Sequence, residues 1–316
     1  MKKVLLATTA LVATAGFAAA EISLSGSASM GLQYTENGGK NVSTNETVVN
    51  NELDFTISGS GTTDSGVAFG ASIDFGNSET DQQESHDTAN DGEAFVSYNG
   101  FTVTVGDVGG QTKEGVADVG FQGIGADDLV TQADTGNYDV NASYTISGIT
   151  IGASLGSDSQ DSAVSVSGAV SGVSFAVSST NIKGIAAVSF AAAAGKNAAV
   201  LEKDAVKERQ ITEFSLGYTM GAVSINAAMS TTNYDAAGEK DLQGTGLSVS
   251  YTSGAMTLTA AMSDTDAAGQ ETNYGVGVAY DLGGGLAVKA GYGQLGATTA
   301  GGDATAVADL GLTMSF

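Results

Sequence analysis

DVGGQTKEGVADVGFQGIGADDLVTQADTGN, residues 107–137, interrupts a chain that otherwise alternates apolar and polar residues. On one side stands Phe101–Gly106 (FTVTVG) and on the other Tyr138–Ile146 (YDVNASYTI), both with the period-2 pattern of a strand. A compact domain rarely carries a connection longer than about 15 residues unless that loop has a role. The loop holds six carboxylates, Asp107, Glu114, Asp118, Asp127, Asp128 and Asp134. Interleaved with them are Val116, Val119, Phe121, Ile124 and Leu129, which an external loop has little use for and a loop packed on a wall can bury. The alternative is a solvated, flexible charge run. The first reading predicts an all-β closed wall with residues 107–137 folded into its interior.

Working outward, Ile22–Tyr34 (ISLSGSASMGLQY) puts Ile22, Leu24, Ala28, Met30, Leu32 and Tyr34 on one face and Ser23, Ser25, Ser27, Ser29 and Gln33 on the other. Globular strands average about 5–6 residues, and this one is twice that length. The pattern recurs near 46–60, 67–76, 92–98, 101–106, 137–147, 149–156, 162–170 and 173–180. It resumes near 210–219, 223–230, 242–251, 255–263, 271–281, 285–293 and 304–316, which makes sixteen strands in all. Asn99-Gly100, Ser147-Gly148 and Ser171-Gly172 read as tight hairpin turns, whereas Gly76–Asp91 and Ser230–Asp241 read as long polar loops. Short turns at one end and long loops at the other are the pattern of a transmembrane antiparallel β-barrel with an even strand number. Lys183–Arg209 fits either an external loop with a short helix or a further hairpin, which would make eighteen strands; the loop is the expectation here.

Tyr98, Tyr144, Tyr218, Tyr251 and Tyr280 each precede a short turn, so all five fall at one level of the barrel, rings in lipid and hydroxyls among headgroups. Parity places Glu52, Asp54, Asp74, Glu213 and Asp309 on the inner face, where a carboxylate avoids the cost of facing hydrocarbon. Lys289 is inward too, because Leu286, Val288, Ala290 and Tyr292 take the outer face; Arg209 falls at a strand mouth.

Residues 1–20 read as a secretory signal: Lys2 and Lys3, a short apolar run, then Ala18-Ala19-Ala20 before Glu21. Residues 21–316 then form one barrel domain. Removing Lys2 and Lys3 from the 11 basic residues leaves 9 against 35 acidic ones, which excludes nucleic acid as a natural partner because the protein's own field repels it. There is no cysteine, so neither disulfides nor thiolate-bound zinc are available, and no proline, which suits strands hydrogen-bonded on both edges.

The segments Asp54–Phe75 (DFTISGSGTTDSGVAFGASIDF), Phe101–Asp107 (FTVTVGD), Tyr274–Gly293 (YGVGVAYDLGGGLAVKAGYG) and Val307–Phe316 (VADLGLTMSF), together with Glu21–Gly31, resemble the general porins of alphaproteobacteria, the Rhodobacter type. The resemblance covers both ends well and residues 156–245 poorly. It implies an outer-membrane homotrimer of sixteen-stranded barrels, each with its third external loop folded inward as an eyelet. It also implies calcium near that loop, for which Asp127 and Asp128 are the candidate ligands, although no cofactor is required. The terminal Phe316, after Leu310, Leu312 and Met314, is similar to the strand signal read by the barrel-insertion machinery. One departure bears on function: the family sets Arg and Lys on the wall opposite the acidic loop, and here only Lys289 and Arg209 are offered.

The expected function is therefore a passive, water-filled channel for small hydrophilic solutes and ions, surrounded by outer-membrane lipid and selective for cations. Gly152-Ala-Ser154-Leu-Gly156 matches G-x-S-x-G, but it lies inside an alternating strand, and the single histidine, His86, lies in an acidic loop. Gly291-Tyr-Gly293-Gln-Leu-Gly296 matches G-x-G-x-x-G without the helix that would receive a pyrophosphate. Asp264–Gly269 begins like a calcium loop and then lacks its later oxygen ligands. No catalysis is expected. The competing reading is a secreted, acidic, calcium-dependent surface protein or adhesin, which predicts G-G-x-G-x-D repeats that the sequence does not contain.

Overall fold

A computed structural model describes residues 21–36, 46–80, 83–86, 92–110, 115–130, 138–157, 159–184, 188–189, 202–203, 207–235 and 238–316. The expected signal, residues 1–20, lies outside them. The wall runs β1 (Glu21–Thr35), β2 (Glu46–Thr62), β3 (Ala68–Thr80), β4 (Gly92–Tyr98), β5 (Phe101–Val108), β6 (Tyr138–Ile146), β7 (Ile149–Leu155) and β8 (Ser162–Val170). It continues through β9 (Val173–Ile182), β10 (Arg209–Met220), β11 (Val223–Tyr234), β12 (Leu242–Ser253), β13 (Met256–Thr265), β14 (Asn273–Gly283), β15 (Leu286–Leu295) and β16 (Thr305–Ser315). Each strand pairs antiparallel with its chain neighbour, and β1 pairs with both β2 and β16, so the 16-strand sheet closes and leaves no edge. The seam is completed by the last residue: Gly26 N donates to Phe316 O at 2.8 Å and Phe316 N to Gly26 O at 3.0 Å.

The turns follow their chemistry. Asn99-Gly100 has φ of 48° and 82°, Ser147-Gly148 51° and 79°, Ser171-Gly172 51° and 83°. Two successive positive φ values are the type I′ geometry whose twist matches that of paired strands.

Ile182 pairs directly with Arg209, so the segment between them adds nothing to the wall, which has sixteen strands and not eighteen. Its described part is a ribbon of Val188–Ser189 against Glu202–Lys203; the expected short helix falls outside the described residues. Near the β3–β4 connection, Gln83–His86 pairs with the far end of β3.

The outer face is apolar and bare: Leu24 is 68% exposed, Val276 57% and Leu310 55%. Such a surface is a liability in water and is at no cost in hydrocarbon. Tyr98, Tyr144, Tyr218, Tyr251 and Tyr280 are all exposed beside the short turns. Among the described residues no helix is long and apolar enough to cross a membrane, which says nothing against crossing by strands.

Candidate functional site

The loop after β5 is described over residues 115–130, and it lies inside the barrel. Val116, Val119, Phe121, Ile124, Ala126 and Val130 are buried, and most of them cluster with Ala261 of β13 and Val307 of β16. Burying a side chain the size of Val or Ile is worth about 1.5–3 kcal/mol, so this row holds the loop on the wall. The wall beneath is cut away to receive it. A Cβ on Gly246 would stand 2.6 Å from Val130 Cγ1, and one on Gly277 2.9 Å from Gly120 N. A Cβ on Gly275 or Gly293 would overlap Ile124 Cδ1, one on Gly244 the Leu129 carbonyl, and one on Gly311 the Phe121 ring. Glycine at alternate positions of β12, β14 and β15, with the small Ala261 and Ser263 of β13 between, makes a trough on the inner face, and the G-x-G-x-x-G match at 291–296 is part of its floor. The signal was present in the sequence as Gly-x-Gly pairs of equal parity (244/246, 275/277, 291/293) and was not used.

Polar contacts fix the register of the loop on this trough. Ala117 N donates to Ser248 Oγ at 3.2 Å, Leu129 N to Ser263 Oγ at 3.3 Å, and Ser263 Oγ to Ala126 O at 2.7 Å. Asn273 Nδ2 donates to Gly125 O at 2.9 Å. Asp309 Oδ2 accepts from Phe121 N at 2.7 Å and Gln122 N at 2.9 Å. Asp118 folds the loop on itself, accepting from Val119 N (2.8 Å), Gly125 N (3.0 Å) and Ala126 N (3.1 Å). Hydrogen bonds to a charged acceptor are worth about 1.5–3 kcal/mol, so Asp118→Ala is expected to loosen the turn by that order. Faster hydrogen exchange at the Gly125 and Ala126 amides is the measurement.

The acidic residues of the loop thus have different situations. Glu114, Asp134 and the Asp107 side chain lie outside the described residues. Asp127 is buried at 8% exposure and engaged. The Asp128 carboxyl is held above the ordinary carboxylate range, first by partial desolvation and second by the Asp118 charge. On the wall, Glu213 is buried and accepts from Ser178 Oγ at 2.8 Å. Asp309 is buried beneath the loop.

Glu52, Asp54 and Asp74 stand apart from these. The register places them on the inner face of β2 and β3, beyond β1 from the trough, with Glu52 and Asp74 exposed. Thr56 Oγ1 donates to Asp74 at 2.5 Å and Ser27 Oγ to Asp54 at 3.3 Å. Glu93, which sequence reasoning missed, pairs with Ser72 and extends this strip onto β4; its parity with Ser97 was readable. Glu52, Asp54, Phe121 and Gln122 border one lumen space of about 340 Å³, so the loop tip lies beside this part of the acidic strip.

Of the basic residues, Lys289 is inward on β15, opposite Gly311. Arg209 lies at the mouth, its Nη1 donating to Lys207 O at 3.4 Å. Other cations are spent on exposed rim pairs: Lys183–Glu208 and Lys207–Glu239 at 2.6 Å, Lys240–Asp266 at 3.1 Å.

Calcium takes 6–8 oxygen ligands. Among the described residues no three acidic or histidine side chains converge, and Asp118, whose charge reaches Asp128, gives both oxygens to loop amides. Two carboxylates, Asp127 and Asp128, supply at most four of those oxygens. Ser154 sits fully buried within β7, without the sharp strand-to-helix turn a nucleophile elbow requires.

The chain is similar to known proteins. A family model described as "Gram-negative porin" matches residues 7–300. A porin of Fuscovulum blasticum is 39% identical over 88 residues, which are 28% of this chain and 29% of that protein's length. Two substituted forms of Rh. blastica porin superpose with TM-scores of 0.68 at 24% identity, covering 93% of this chain and 100% of theirs. At that identity the superposition shows the fold alone. The family match spans nearly the whole barrel together with the stretch that carries the inward loop, and by it this chain belongs to the Gram-negative porin family.

Proposed function

We propose that the protein is a water-filled channel of the bacterial outer membrane through which small hydrophilic solutes and ions pass down their gradients, with a preference for cations. It catalyses nothing, and it works as a homotrimer inserted through its carboxy-terminal strand, as porins generally are. The observation that carries the reading is the acidic strip of Glu52, Asp54 and Asp74, with Glu93 beside it, whose Glu52 and Asp54 border a lumen space next to the inward loop. A narrow aqueous passage between low-dielectric walls focuses such a charge imbalance into a potential that gathers cations and repels anions. Lys289 and Arg209 are the inward or mouth-facing cations described, and the rim lysines are already paired.

The test is the zero-current potential across a planar bilayer in a KCl gradient. The wild-type sign is expected to be that of a cation-selective pore, and insertions are expected in groups of three conductance steps. Glu52→Gln with Asp54→Asn and Asp74→Asn is expected to lower the preference, and raised salt to weaken it, because screening at about 0.15 M has a length of about 8 Å. These wall residues are better probes than Asp118 or Asp127, whose neutralisation would also disturb the loop. An anion-selective wild type, or a triple variant with the wild-type potential, would remove the strip from the ion path.

A further inference from the structure

We propose that Asp309 is a positioning residue of this channel rather than one of its selectivity charges: it fixes the depth at which the loop stands in the bore, and with it the width of the passage. The inference rests on the channel reading above and adds to it which carboxylate sets size and which set charge preference.

Asp309 lies on the inward face of β16, where an unaccompanied carboxylate would look into water, yet it is only 6% exposed. One oxygen, Oδ2, accepts from two consecutive loop amides, Phe121 N at 2.7 Å and Gln122 N at 2.9 Å. The other, Oδ1, accepts no hydrogen bond and lies hard against the backbone: a Cβ on Gly120 would stand 2.5 Å from it and one on Gly291 2.9 Å. Gly120 has φ of +101°, which side-chain-bearing residues rarely adopt, so glycine is required at the point where the loop comes down onto the carboxylate. Gln122, the second residue held, donates to Ser29 Oγ at 3.3 Å. Phe121 and Gln122 are also the loop residues that border the lumen space shared with Glu52 and Asp54. The loop segment that borders this space is therefore held from beneath by this carboxylate. Two amide dipoles point at its charge and the loop covers it, so it adds little to the field that ions meet.

Asp309→Ala, Asp309→Asn and, as a selectivity reference, Glu52→Gln are purified as heat-modifiable barrels. Each is measured for single-channel conductance, open-channel noise, zero-current potential, and entry of sugars of increasing size into proteoliposomes. Asp309→Ala leaves two amides without their acceptor and is expected to raise the size cut-off, increase the noise and change conductance by at least about 1.5-fold. Asp309→Asn keeps an oxygen for both amides. It is expected to keep the wild-type cut-off and to shift the zero-current potential less than Glu52→Gln does. If Asp309→Ala yields no folded barrel, Asp309→Ser, whose oxygen is too short to reach both amides, takes its place with the same expected widening. A wild-type cut-off and noise in the Ala or Ser variant would overturn the proposal, as would an Asn variant that shifts the potential as far as Glu52→Gln. A wild-type protein that does not conduct would instead remove the channel reading itself.

Discussion

Leu310→Arg is expected to cost the folded barrel about 2–4 kcal/mol, whereas Thr313→Arg, three residues along the same strand, is expected to be tolerated. Leu310 lies mid-strand on β16, is 55% exposed, and pairs with Leu32 of β1 and Ala290 of β15, both on the outer face. A guanidinium there must enter hydrocarbon or drag water and headgroups toward itself. Thr313 has the opposite parity and borders the lumen space, where a guanidinium stays hydrated and lies near Glu52 and Asp54. Yields of heat-modifiable barrel after refolding into lipid, measured across a urea series, give the difference. Equal midpoints for the two variants would remove the assignment of faces on β16, and a reversed order would mean that they have been exchanged.

The second large effect is expected from the glycine trough. Gly244→Val combined with Gly277→Val should lift the inward loop off its seat at those two points and loosen it there. At Gly244 the new Cβ would overlap the Leu129 carbonyl and come 3.0 Å from Val130 Cα; at Gly277 it would come 2.9 Å from Gly120 N and 3.0 Å from Val119 Cβ. These are backbone and near-backbone atoms that cannot step aside by a rotamer change, and forced overpacking costs about 1–3 kcal/mol per site. Two sites compete with the burial of a handful of Val- and Ile-sized side chains, and the loop can escape into water where the wall strands cannot. The expected outcome is faster hydrogen exchange at the Ala117 and Leu129 amides, with a larger single-channel conductance. Gly59→Val is the control, because the nearest atom to its Cβ is 4.0 Å away. Unchanged conductance and exchange in the double variant would mean that the loop finds another seat and that the trough does not set its depth.

Much of this is legible in the sequence alone. Alternation in Ile22–Tyr34 and its fifteen successors, the hairpin dipeptides, and the tyrosines before the short turns each report local backbone geometry, and a strand's period of two is a property of the strand alone. Parity likewise assigned inward faces to Glu52, Asp54 and Asp74, and the pairing register puts them there. The length and apolar content of 107–137 marked the loop as something other than a surface connection. Residues 183–209 were ambiguous because an Ala-rich run followed by charges carries no strict period, and only the direct pairing of Ile182 with Arg209 settles that the segment adds no strand to the wall.

What the sequence by itself determined is the pattern of the wall: the alternating strands outside 183–209, their turns, and which face of each meets lipid. Tertiary structure alone decided what each carboxylate is for. Asp309 and Glu52 look alike in parity, yet one is covered by loop amides 187 and 188 residues away in the chain and the other stands open. Asp118 looks like a pore charge and instead ties three amides of its own loop. The physical reason is range: a strand's faces follow from each residue's immediate neighbours, whereas the depth of the loop follows from contacts between residues 115–130 and strands more than a hundred residues later, which no local pattern encodes.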